Sequence, residues 1–466
     1  MTHRLLSINW IYDDLAHNPL LWLRPLVVIG VLLLSIAIPL KTPPLYLLFA
    51  LGLFPGIAAV LIFMRWPALG IIIAIIGGVV VPFTGPSGLN VTLIMTALLF
   101  GLWVLDMVVQ QRRLRLIPSR TIWPSLSFVS AALLSFGVGL LPWFTFAEHA
   151  PLGAQLGGLS IFILSAGAFL LAAHQIQDLD WLQWITWVFL AFAALFAAGQ
   201  LIPVLRPFSR LLFQPIGSMF WIWVVSLTVS QAIFNRDLQW GWRLALGGLS
   251  LVALYLVTIL KYEDKSGWIP SLVSVATIIG LRSWRTALAL ALIGTLPALY
   301  LVTGAVASDE YSVATRFDAM LIIAEIIKAS PVLGLGFANY YWYTPLFPIR
   351  GYAVQFNSHN NYIDIVAQTG LVGLLCLMWF YGEVGWLAWR LRERVPAGFA
   401  QAYAYGALGG LAGMVVLGML GDWVLPFFYN IGLAGFRSSV LGWLFLGGLV
   451  ALEKIFASPS GATKQS

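Results

Sequence analysis

Apolar runs of about 20 residues recur along nearly the whole chain, separated by connections in which Arg, Gly, Pro and Trp collect. That is roughly the length an α-helix needs to cross the hydrocarbon of a bilayer, within a range of about 17 to 25 residues. Such runs lie near 25–41, 45–64, 66–84, 90–109, 121–142, 156–174, 181–203, 217–234, 239–260, 268–281, 286–304, 360–381, 400–420 and 436–456. The run at 268–281 is short. Pro55 and Pro270 fall inside runs, where neighbouring helices satisfy the backbone groups that a proline frees. The predicted fold class is all-α, a polytopic integral membrane helical bundle of about fourteen transmembrane helices.

The stretches that break this pattern divide the chain. Residues 1–23 mix His3, Arg4, Asp13, Asp14 and His17 with Leu, Ile and Trp, and read as a cytoplasmic or interfacial amphipathic segment. Residues 24–304 hold the first eleven predicted spans, and 360–456 the last three. Between them lies 305–359, far longer than an ordinary connection. It contains Thr315 and Asp318 at capping-box-like spacing, so the spacing predicts a short amphipathic helix with Thr315 as N-cap and Arg316 as first residue, ending before Pro331. Gly334-Leu335-Gly336 and the aromatic run Tyr340-Tyr341-Trp342-Tyr343 follow. Aromatics of this kind suit a membrane interface or the faces of sugar rings, the interface being the commoner use. Residues 457–466 form a polar tail.

Composition supports the bilayer reading. Hydrophobic residues make up 60% of the 466 and charged residues 9%, where a soluble globular chain carries roughly 25% charged. A water-soluble fold of this length could not hide so much apolar surface. The net charge of +7 belongs to the loops of a membrane protein rather than to a nucleic-acid partner, since no basic stretch is interleaved with solvent-facing aromatics. Placing the N-terminus in the cytoplasm puts the clusters Arg112, Arg113, Arg115, Arg120 and Arg390, Arg392, Arg394 inside, as the positive-inside rule favours. Both termini are then cytoplasmic and 305–359 is external. Lys265, Arg316, Lys328 and Arg350 fall outside against the rule. An external site for an anionic ligand would explain them; solvated loop charge would explain any one. Cys376, inside an apolar run, reads as a small buried residue.

Three external positions are candidates for chemistry. His359, in Asn357-Ser358-His359-Asn360-Asn361-Tyr362, sits at the mouth of the run beginning near 360. An interfacial histidine with a near-neutral pKa can accept a proton from a sugar hydroxyl; a polar residue capping a helix is the alternative, and Asn357 or Ser358 would cap equally well. Arg316 at a helix N-terminus would make an anion site, against the alternative of an arginine paired with Asp318 or Asp309. Lys265, in Lys265-Ser266-Gly267-Trp268, stands at another outer helix entrance, beside Glu263 and Asp264, which make a solvated charge cluster an equal reading. No His and Cys fall at metal-ligand spacing, and no P-loop or Rossmann pattern occurs. Asp-x-Asp, common in metal-dependent sugar transferases, is missing. A site without metal or cofactor, built from cations and one base, fits better.

The stretch Arg316-x-x-x-Met320, Pro331-x-x-Gly334-x-Gly336, His359-Asn360-x-Tyr362 and Gly370-x-x-Gly373 resembles the core of the O-antigen ligase and polymerase superfamily. The resemblance covers residues 316–373, and only the helix count extends it. It implies a metal-independent membrane glycosyltransferase of the cytoplasmic (inner) membrane, with its active site on the outer face. The donor is an undecaprenyl-diphosphate-linked glycan. The acceptor is a glycan, lipid or protein: the sugar core of lipid A in ligases, another carrier-linked repeat unit in polymerases. His359 inherits the role of proposed general base, and Arg316 that of holding the diphosphate. Lys265 stands where the family usually has a second Arg, and Met320 where it has Trp. Lys is a point charge, not a bidentate fork. Arg350, Asn360 and Tyr362 join Lys265 as candidate substrate-binding residues. The competing reading is a lipid-linked oligosaccharide flippase or other secondary transporter, which would place ionisable residues or broken helices near the bilayer midplane. Asp364 and Glu383 lie near predicted helix ends, which favours the enzyme.

Overall fold

The computed structural model describes residues 56–207, 209, 217–261, 264–289, 292, 303–304 and 310–457. The predicted interfacial segment 1–23, the span 25–41, most of 45–64 and 286–304, and the tail lie outside the described residues. The chain divides into two units, Met1–Arg65 and Trp66–Ser466. In the first, an apolar helix covers Gly56–Arg65.

The second unit is a bundle of helices. They are α1 (Pro67–Val80), α2 (Val91–Leu105), α3 (Ile122–Val138), α4 (Leu152–Gln175), α5 (Leu179–Leu201), α6 (Ser218–Phe234), α7 (Trp240–Tyr255), α8 (Lys265–Arg282), α9 (Glu310–Ile327), α10 (Asn339–Tyr343), α11 (Asn361–Arg394), α12 (Phe399–Leu420) and α13 (Phe436–Ala457). Each apolar run from 66–84 onward that is described has a helix beneath it. Among the described residues, seven helices are long and apolar enough to cross a membrane: Val91–Val109, Leu152–Gln175, Leu179–Leu201, Trp240–Leu260, Asn361–Arg394, Phe399–Leu420 and Leu433–Ala457. Helices α1, α3 and α6 are apolar but shorter. Among the described residues no β-strand forms beyond a single bridge between Ile349 and Tyr352.

Helix α13 is the axis. Every residue from Phe436 to Leu452 is buried, as expected of a helix that is apolar all round and surrounded by others. It packs on α4, α6 and α12. Small residues allow close approach, as in membrane bundles generally. A methyl group at Gly409 or Gly413 would lie 2.5 Å from Ile278 or 2.8 Å from the Pro270 carbonyl, so α12 and α8 touch nearly backbone to backbone. The outer surface is apolar too: Trp123, Leu251 and Leu375 are each about two-thirds exposed. So much outward-facing hydrocarbon needs a lipid solvent.

The connection 310–360 differs from the prediction in one respect. Helix α9 is described from Glu310, so Arg316 lies in its interior and Thr315 is no N-cap; the Thr315 hydroxyl bonds back to the Tyr311 carbonyl at 2.6 Å. Asp318 accepts instead from Arg350. The helix does end before Pro331. Its inner face, Ile323 and Ile326, packs with Leu335, Tyr340, Tyr343, Ala367 and Phe427.

Residues 331–336 lock into a break in α11. Gly370 has φ +66° and ψ −173°, a conformation open essentially to glycine alone, and it interrupts the helix. The amides freed beyond the break find the loop: Leu371 donates to the Pro331 carbonyl at 2.9 Å and Val372 to Val332 at 3.2 Å. The loop returns the favour, Leu335 donating to Ala367 at 2.8 Å and Gly336 to Gln368 at 3.1 Å. A break of this kind in an apolar helix is stable only when protein satisfies the backbone. The Ser135 hydroxyl of α3 also donates to the Gln368 carbonyl.

Candidate functional site

A cavity of about 330 Å³ opens where four distant stretches of chain meet. The start of α8 supplies Asp264, Lys265 and Ser266; the middle of α9 supplies Arg316; the turn before α11 supplies His359; and the end of α12 with the connection that follows it supplies Leu420, Gly421, Asp422, Trp423, Asn430 and Ile431. Thus Lys265, Arg316 and His359, singled out from the sequence, line one cavity.

Local structure fixes each wall. Ser266 donates to Asp264 at 2.6 Å, and its hydroxyl meets Ser218 of α6 at 2.8 Å. Lys265 is the first residue of α8, so its ammonium group shares the cavity with a helix N-terminus. The arrangement expected at Arg316, a cation beside unpaired helix amides, therefore occurs at Lys265. Among the described residues Arg316 has no carboxylate within ion-pair distance.

His359 has φ +50°, a left-handed conformation that histidine visits more readily than most residues. The next residue caps α11: Asn360 Oδ1 accepts from the amides of Tyr362 (2.9 Å) and Ile363 (3.3 Å). So the cap is Asn360, neither Asn357 nor Ser358, and His359 is left free of that duty. Burial first, and then the charge of Arg316, hold the His359 imidazole below its ordinary pKa. It is neutral at pH 7, the form able to take a proton.

The connection after α12 is pinned by Asn361, whose amide group donates to the Leu425 carbonyl at 2.7 Å while its oxygen accepts from the amides of Val424 (2.8 Å) and Leu425 (3.2 Å). This brings Asp422 and Asn430 beside His359. Asn430 Nδ2 lies 2.8 and 3.1 Å from the two oxygens of Asp422 and 3.3 Å from His359 Nδ1. Burial pushes the Asp422 carboxyl up to about 6, against the opposing pull of Asn430, the Phe427 amide and Arg316. Behind it, the Tyr340 hydroxyl (2.5 Å) and Ser358 hydroxyl (2.7 Å) reach Oδ1 of buried Asp364. Burial and Asp364 keep Tyr340 well above its ordinary pKa, so it remains a donor.

The other predicted binding residues lie elsewhere. Arg350 is bound to Asp318 at 2.7 Å and stacks over Tyr311 at 4.8 Å; it does not line the cavity. Asn360 donates to the Met419 carbonyl at 3.2 Å, and Tyr362 to Val415 at 2.6 Å, so both serve the packing of α11 on α12. Asp422 and Asn430 escaped the sequence reading. Their only local signal is an acid directly after an apolar run, in Gly421-Asp422-Trp423.

The chemistry available is that of two cations, one neutral imidazole and two carboxylates, Asp264 and Asp422. Among the described residues no group of three or more His, Cys, Asp or Glu gathers to hold a metal. In comparison with known proteins, no family model and no curated protein matches this chain.

Proposed function

We propose that this chain is a membrane glycosyltransferase that moves a glycan from an undecaprenyl-diphosphate carrier to a hydroxyl acceptor. In this reading the bundle has about fourteen spans, both termini are cytoplasmic, and the cavity faces outward from the cytoplasmic membrane. One observation carries the reading: Lys265, Arg316 and His359, far apart in sequence, converge on a single cavity.

Arg316 and Lys265 hold the diphosphate, aided by the amides at the start of α8. They neutralise the charge that develops on the leaving group, and removing one such stabiliser costs roughly 3 kcal/mol of barrier. The acceptor hydroxyl attacks the anomeric carbon, the carrier diphosphate departs with the bonding pair, and direct displacement inverts the configuration. His359 takes the hydroxyl proton. The activated glycosyl bond supplies the driving force. Arg350, held by Asp318, takes no part.

The test is transfer from purified carrier-linked glycan by His359→Ala and Arg316→Ala proteins. Rates near normal in both overturn the proposal. A transporter remains the second reading, favoured by the break at Gly370 close to buried Asp364, whose Oδ2 has no hydrogen-bond partner. Carrier-linked sugar crossing vesicles without any acceptor would support it over the enzyme.

A further inference from the structure

The amide of Asn430 stands between a carboxylate and an imidazole, and its nitrogen has two protons to give. Nδ2 reaches Asp422 Oδ1 at 2.8 Å and Oδ2 at 3.1 Å, and His359 Nδ1 at 3.3 Å. One proton goes to the carboxylate and the other to the imidazole. His359 Nδ1 must then offer its lone pair, so the neutral ring carries its proton on Nε2. Among the described residues no hydrogen bond reaches Nε2.

We propose that Asp422 and Asn430 act as a positioning pair that sets which ring nitrogen of His359 carries the proton, and so decides whether His359 offers the cavity a hydrogen-bond donor or a proton acceptor. With Asp422 ionised, His359 presents Nε2–H, a donor suited to a phosphate oxygen. When Asp422 binds a proton, its O–H requires an acceptor. The Asn430 amide turns over, and Oδ1 accepts from both the Asp422 hydroxyl and His359 Nδ1–H. The ring stays neutral, its proton having moved from Nε2 to Nδ1 by exchange with water. The net change is one proton taken from solvent onto Asp422. Nε2 now shows a lone pair to the cavity, which is the form a general base needs.

The groups facing Asp422 set the balance. Burial opposes the carboxylate, while the Asn430 amide, the Phe427 N–H and Arg316 favour it; Lys265, Asp264 and His359 line the same cavity, and the Tyr340 hydroxyl and buried Asp364 stand behind it. An entering polyanion opposes the carboxylate too. On the transferase reading, binding of the diphosphate therefore converts His359 from donor to base when the acceptor arrives. That consequence rests on the transferase reading; the tautomer assignment does not.

Nitrogen NMR of full-length protein labelled at histidine, in detergent micelles, reads the tautomer directly. The His359 signals are assigned by their loss in His359→Ala. Wild-type protein well above the Asp422 titration should show the Nε2–H form. Asp422→Asn should show Nδ1–H wherever the ring is neutral: the new side chain keeps its oxygen on the Phe427 amide (3.3 Å in the native bond) and turns its NH₂ toward Asn430, which must answer with Oδ1. If Asp422→Asn does not fold, Asn430→Asp asks the same question, because a carboxylate at 430 accepts Nδ1–H. One tautomer shared by wild type and the folded variant overturns the inference. A tautomer switch in a protein that transfers no glycan would leave the inference standing and remove the transferase reading.

Discussion

Two regions built from the same stretch of chain do different work. Pro331, Gly334, Gly336 and Gly370 form the knot where a loop replaces the missing hydrogen bonds of α11. Arg316 and His359, interleaved with them in sequence, line the cavity. The knot is conformational: a methyl group at Gly370 would lie 2.1 Å from the Val332 carbonyl oxygen, and one at Gly334 2.4 Å from Gln368 backbone. The cavity is chemical, and its residues have room. A resemblance resting on both sets therefore mixes two kinds of information. Its glycines speak for a backbone path, and only its arginine and histidine speak for a reaction.

Substitutions separate the two most sharply. Gly370→Ala should cause the largest loss. It meets backbone on one side and must adopt a dihedral pair that alanine strongly resists, a strain of about 3 kcal/mol before the clash is added. Folded yield in detergent and the thermal midpoint should both fall, and a variant as stable as wild type would undo the account of the knot. Above the histidine titration range His359→Ala should leave the midpoint in place while transfer falls by roughly 10²- to 10⁴-fold, the usual worth of a positioned proton acceptor.

Among the cations the effects should divide by partner. Arg316→Ala and Lys265→Ala should each lower turnover by roughly 10²-fold, an electrostatic contribution to the leaving group. Arg350→Ala should leave turnover within a few-fold of wild type, because its charge faces Asp318 at a partly exposed pair worth about 0–1 kcal/mol. Equal losses at Arg350 and Arg316 would erase the distinction between cavity and rim.

The remaining effect is a slope. Asp422 holds its proton more tightly in the folded protein, up to about 6, than in the unfolded chain, where a carboxyl titrates near roughly 3.9. Folding thus binds a proton between those values. The stability this provides is complete below the unfolded range and is lost as pH rises through about 6. The thermal midpoint should decline across that window, and Asp422→Asn should flatten the decline. His359 adds the opposite trend: its lowered pKa means stability is lost as pH falls through the ordinary histidine range. His359→Ala should remove that part alone.

Helix positions were legible because a bilayer-scale apolar run leaves little choice of structure. Lys265, Arg316 and His359 were legible because polar groups stand out at the ends of such runs. The start of α9 was not. Thr315 and Asp318 have capping spacing, but the helix already runs through Glu310, so that spacing falls inside it and caps nothing. Nor was the break at Gly370, since glycine is frequent in apolar helices that continue unbroken. Its partner, Pro331 to Gly336, is a distant loop whose meeting with α11 no local period encodes. Asp422 and Asn430 went unseen for the same reason. They join His359 through Asn361, which ties two turns together by hydrogen bonds across some 60 positions of sequence.

The exchange of hydrogen bonds between 331–336 and α11 also acts as a splint. Helix α9 leads directly into that loop, and α11 starts directly after His359. The span from guanidinium to imidazole is thereby set by main-chain geometry as well as by the reach of a flexible side chain. Any tilt of α9 that carries Arg316 must either drag the first turns of α11 with it or unzip the splint, so the two groups travel as one jaw of the cavity, with Lys265 on the other.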